Sequence, residues 1–159
     1  MALGYTPYKT PNAIYTIRED LTGSEGRGVY LYDNTGGGSV QGGVRLAVDA
    51  TVVPYGIVTV GGPSADGTYP GLIGGSSVEF VDQLGCVVQV VVSPNAAVVA
   101  GEFLLIDSGE ANGTFTGTNS QALAIGDWVW GYALTDAQPG DQCVMRFQPM
   151  MTFSTYPGP

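Results

Sequence analysis

Every apolar run in this chain is short, and each closes within a few residues on Gly, Pro, Asn, Asp or Ser. A helix needs apolar residues at i, i+3, i+4 and i+7 sustained over about ten residues, and that pattern is missing almost everywhere. What remains are brief segments rich in Val, Ile, Tyr, Phe and Thr, which read as strands. They are "VYLY" (29–32), "VRLAV" (44–48), "GIVTV" (56–60), "VEFV" (78–81), "CVVQVVV" (86–92), "FLLI" (103–106), "TFT" (114–116), "WVWGYA" (128–133) and "QCVMRF" (142–147). The chain is therefore expected to be all-β, a small β-barrel or sandwich. "CVVQVVV" is almost continuously apolar, which predicts burial on both faces. "QCVMRF" alternates, which predicts one face turned to water or to a partner.

The breaks between runs carry turn chemistry. Asp66-Gly67 and Asn112-Gly113 are hairpin signals, since both central positions of a type I′ turn need positive φ. Pro139-Gly140 suits a type II turn, with Pro setting φ near −65° and Gly taking the left-handed position. Pro54 predicts a strand start or an edge. The glycine-rich stretches 35–43 and 61–77 read as long loops.

At 159 residues the chain fits one domain with a real core, and 44% hydrophobic content excludes disorder by composition. Charged residues are 12%, about half the usual ~25%. So sparse a charge predicts a surface of small polar residues or one covered by other protein, as in a subunit of an assembly. The net charge of −9 argues against nucleic acid and against an anionic membrane surface, because both select cations. The charge is uneven: residues 1–50 carry four cations against five acids, whereas residues 51–159 carry only Arg146 against nine acids. The start lacks a basic region followed by an apolar run, and no stretch approaches the ~18–20 apolar residues of a membrane span. The expectation is a soluble protein made inside the cell.

Residues 1–28 differ from the rest. Two prolines, three tyrosines and three of the five basic residues fall there, around one short apolar run. X-Pro steps favour extended backbone, so this segment is expected to be an N-terminal arm preceding a body at 29–159. Tyr5, Tyr8, Lys9, Tyr15, Arg18 and Arg27 are its candidate docking residues, Tyr and Arg being enriched at interface hot spots.

Chemistry is hard to find. Without a single histidine, Ser-His and Cys-His nucleophiles and His-based zinc sites are excluded. The glycines at 36–38 lack the Gly-Lys-Ser/Thr ending of a phosphate-binding loop. "FLLIDSGE" resembles the strand-Asp-Ser/Thr-Gly motif of aspartic proteases, but Glu110 stands where those enzymes place a small residue, and ordinary turn chemistry explains Asp107-Ser108-Gly109 equally. Asp107 with Glu110, or Asp127 with Asp136 and Asp141, would have to converge to hold calcium, and no spacing matches an EF-hand loop. Cys86 and Cys143 read as buried free thiols, with a cross-strand disulfide left open. No enzyme activity, metal or cofactor is expected. Trp128, Trp130 and Tyr132 should share one strand face, part core and part oligomer contact.

One longer pattern stands out. "AIGDWVWGYALTDAQPGDQCVMRFQP" closely resembles the C-terminal signature of tailed-bacteriophage capsid decoration (cement) proteins, through Gly126-Asp127, Gly131-Tyr132-Ala133-Leu134, Asp136-Ala137, Gly140-Asp141 and the alternating last strand. "GGVRLAVDATVVPYGIVTV" and "CVVQVVVSPNAAVVAGEFLLIDSGEANG" are similar to that family's earlier strands, so the likeness covers roughly residues 42–148. The aromatic "WVW" and the insertion at 61–77 depart from it. The resemblance implies an oligomeric β body, a homotrimer in preference to a dimer, that clamps major capsid proteins on the outer surface of the virion after synthesis in the host cytoplasm. A rival reading is a receptor- or glycan-binding domain of a tail fibre, with Trp128 or Trp130 as the sugar platform.

Overall fold

The structure, a computed structural model, describes residues 16–17, 20–32, 43–62, 79–119 and 121–153. The described residues contain strands and turns and no helix. In chain order the strands are β1 (Thr16–Ile17), β2 (Gly28–Tyr32), β3 (Gly43–Leu46), β4 (Pro54–Val60) and β5 (Glu79–Val81). They continue with β6 (Val87–Val91), β7 (Phe103–Ile106), β8 (Phe115–Gly117), β9 (Trp128–Ala133) and β10 (Gln142–Met151). One sheet has the order β1-β3-β2-β4-β5 and the other β6-β10-β9-β7-β8. Both are antiparallel except that β1 runs parallel to β3. An isolated bridge, Val92 to Phe115, links the two edges of the second sheet at one residue pair.

The sheets meet over one apolar cluster. Ala47 and Ile57 come to it from the first sheet and its flank, and Val90, Leu104, Ile106, Phe115, Trp130, Met145 and Phe147 from the second. Backbone bonds stitch the layers together: the Val91 amide donates to the Gly26 carbonyl at 2.9 Å, Gly28 to Gly113 at 2.8 Å, and Gly113 to Ala47 at 2.8 Å. The chains approach so closely at Gly28 that a Cβ there would lie 2.8 Å from Ile106 Cδ1 and 2.9 Å from Trp130 Cζ3. The outward face of the first sheet is buried as well, by a cluster of Leu21, Val29, Val44, Leu46 and Val58 with Tyr55 and Phe80. A third cluster, Ala50, Leu105, Leu123 and Val129, covers one end of the outward face of the second sheet.

Three local readings change in the structure. "CVVQVVV" was expected to be buried on both faces, yet Val87 and Gln89 are exposed, because β6 is the edge of a sheet whose outward side is only partly covered. Asn112-Gly113 does not form a two-residue hairpin: it lies in the longer connection 107–114 between β7 and β8. There Asn112 Oδ1 accepts from the Thr114 amide at 3.2 Å, and Gly113, at φ 76°, makes the contacts to the first sheet. The body also begins earlier than residue 29, since Leu21 is fully buried and its amide donates to the Gly62 carbonyl. Two other readings hold: the Asp141 amide donates to the Gln138 carbonyl across Pro139-Gly140, with Gly140 at φ 81°, and Pro54 opens β4, whereas Asp66-Gly67 lies outside the described residues.

Candidate functional site

Of the candidate arm residues, Tyr5, Tyr8, Lys9, Tyr15 and Arg18 lie outside the described residues. Arg27 belongs to the body, where its Nη1 donates to the Asn112 carbonyl at 3.1 Å and ties β2's entry to the β7–β8 connection.

The aromatic stripe divides. Trp130 is fully buried, edge-on to Phe115 at 5.6 Å between ring centroids and tilted against Phe147 at 6.4 Å. Trp128 is half-buried against the same cluster. Tyr132 does not join them: it pairs with Arg146 on one side and Phe103 on the other, while Met145, Ala133 and Leu104 next to these three residues are all core. The break falls at Gly131, since Trp130 and Ala133 both enter the core although residues three apart on a regular strand face opposite ways. At Gly131 the backbone comes so near β10 that a Cβ would lie 2.0 Å from the Arg146 carbonyl oxygen. Buried as it is, Trp130 offers no face to a sugar.

Of the carboxylates that stood out in the sequence, Asp107, Glu110, Asp127 and Asp136 accept from backbone or side-chain donors, and Asp141 is exposed. Asp107 accepts from the Ser93 hydroxyl, from the Gly109 amide at 2.9 Å and from Asn95 Nδ2 at 3.4 Å. Burial raises its pKa, but those hydrogen bonds outweigh burial and hold it below the ordinary aspartate range. Asn95 Nδ2 also donates to Glu110 Oε1 at 2.9 Å, which accounts for the acid after Asp-Ser-Gly. Glu102, buried, accepts from the Val99 amide at 2.7 Å and the Asn119 amide at 2.9 Å. Asp127 caps the Ala124 amide and Asp136 the Ala100 amide, each at 2.8 Å. Among the described residues no three His, Cys, Asp or Glu side chains gather to hold a metal ion. Cys86 and Cys143 are both free thiols, and burial pushes the Cys143 thiol up to about 11.

The sheet turns several apolar residues outward. Register sets Val87, Arg146, Tyr132 and Phe103 in one row across β6, β10, β9 and β7, with Val87 55% and Phe103 42% exposed. The next row holds Gln89, paired with Val144, and Leu134, which is 38% exposed and donates its amide to the Val144 carbonyl. Neither row contains a carboxylate. The one cation, Arg146, is half-buried, and its Nε is buried with no hydrogen-bond partner.

No protein family, characterised protein or solved structure matches this chain.

Alternation in "QCVMRF" already placed Val144 and Arg146 on one face. Val87 and Phe103 could not be added to it from sequence, because that takes the register of three other strands.

Proposed function

We propose that this protein is a structural, non-enzymatic contact protein: a capsid decoration (cement) protein of a tailed phage. In this reading it binds the outer surface of the head as a homo-oligomer, a trimer in preference to a dimer, and holds neighbouring major capsid proteins together. The observation that carries the reading is the division of labour between polar and apolar groups. Asp107, Glu102, Asp127 and Asp136 are taken up in holding the framework, while Val87, Phe103 and Leu134 face outward on an ordered sheet. Acids turned to structure and apolar groups turned outward suit a protein that works by contact. The likeness of residues 42–148 to the decoration family points the same way. A clamp that binds only the assembled lattice stabilises it by mass action, and many copies multiply the effect.

Purified protein added to undecorated phage heads tests this. Co-sedimentation at a fixed number of copies per shell, with a raised shell melting temperature, is the expected result. Protein left wholly in the supernatant at concentrations well above micromolar would sink the reading.

A further inference from the structure

We propose that the outward strip of the second sheet receives the tip of the β9–β10 hairpin of a second copy of this chain, Arg146 taking the carboxylate of Asp141. The inference deepens the oligomeric part of the decoration reading and rests on it; shell binding is a separate measurement.

Charge narrows the occupant. The chain carries 14 acids against five cations, so a contact between two copies is favoured where it sets a cation on a carboxylate. Arg146 sits on a strip free of acid, beside Val87 and Tyr132, with its Nε buried and unpartnered. A half-desolvated cation of this kind gains most from a carboxylate that arrives together with apolar cover. The nearest acid in sequence order along β10 is Asp141, five positions before Arg146, about 17 Å away at ~3.4 Å per strand residue. The pair is therefore too far apart to close within one molecule.

The hairpin carries both halves of the contact. Its tip, residues 134–141, presents Asp141 as an exposed residue, while Asp136 is held on the Ala100 amide, and Leu134 and Val144 lie between that tip and Arg146. One hairpin laid on another thus brings acid to cation across an apolar middle. A reciprocal contact closes a dimer, and a head-to-tail one closes a ring. Glu102, next to Phe103, does not compete, because its carboxylate is turned to the Val99 and Asn119 amides.

Light scattering of the full chain without shells reads the contact. The expected result is an oligomer at low salt whose dissociation constant rises at least tenfold with Arg146→Glu and with Asp141→Lys. Joining both changes restores association to within about threefold of the original, since the pair is then reversed rather than broken. Arg146→Gln, checked by far-UV circular dichroism, gives the same loss should the charge reversal disturb folding, and Arg146→Lys retains most of the association. A monomer at 100-fold above micromolar concentration, or an oligomer indifferent to Arg146→Gln, overturns the proposal. A protein that oligomerises this way and ignores phage heads leaves the contact standing and removes the decoration reading.

Discussion

Trp130 and Tyr132, two residues apart, belong to different environments, and substitution separates them. Trp130→Ala removes a side chain packed on Phe115 and Phe147 and is expected to cost about 3–5 kcal/mol in urea unfolding. Tyr132→Ala, on the half-exposed row, costs about 1 kcal/mol or less. Gly131 between them is required by space, since a Cβ would stand 2.0 Å from the Arg146 carbonyl oxygen. Gly131→Ala should lower stability by about 2–4 kcal/mol through displaced backbone, with no loss of apolar area. Asp107 ties pH to stability. Its folded pKa lies below the ordinary 3.8, so its contribution is complete above that value and is lost as pH falls through the folded one. The stability difference between wild type and Asp107→Asn, followed by denaturant titration from pH 7 to pH 2.5, should accordingly hold steady and then shrink at the acid end.

Among the elements, the segment ahead of β2 is tied into the body. Gly26 donates to the Val58 carbonyl and accepts from the Val91 amide, and Leu21 fills the cluster outside the first sheet. Deleting residues 2–20 removes β1 and leaves these contacts, so the body should melt as a folded domain, and the decoration proposal adds that affinity for shells then drops sharply. Deleting 2–27 removes Leu21 and the Gly26 links, and is expected to abolish the cooperative thermal transition. A body equally stable after both deletions would show that Leu21 and Gly26 contribute little. The strands themselves were readable in advance, from "FLLI" and "WVWGYA" to the alternating "QCVMRF", because strand formation follows local β propensity between turn residues. β6 was misread for burial because an apolar run records only that it tolerates burial. Whether a neighbour arrives is decided elsewhere in the chain.

For the whole molecule, the shared core makes the two sheets one cooperative unit. Ile57 of β4 packs in the same cluster as Trp130 of β9, and Gly28 and Gly113 exchange a backbone bond across the layers. Tryptophan fluorescence, which reports the shared core around β9, and far-UV circular dichroism, which reports the strands of both sheets, should therefore give coincident denaturant transitions. Separated midpoints would mean that the sheets unfold independently and that the stitches at Gly26, Gly28 and Gly113 contribute little.

By itself, the amino-acid order determined the all-β class, most strand positions, the Pro139-Gly140 turn and the outward side of β10. These depend on propensities and periods that act over a few residues. Only the tertiary structure decided that Trp130 goes inward and Tyr132 outward, that Asp107 accepts from the Ser93 hydroxyl, and that Val87, Arg146, Tyr132 and Phe103 form one row. Each of those outcomes depends on strand register and layer contacts between residues far apart in the chain, where local pattern carries no information.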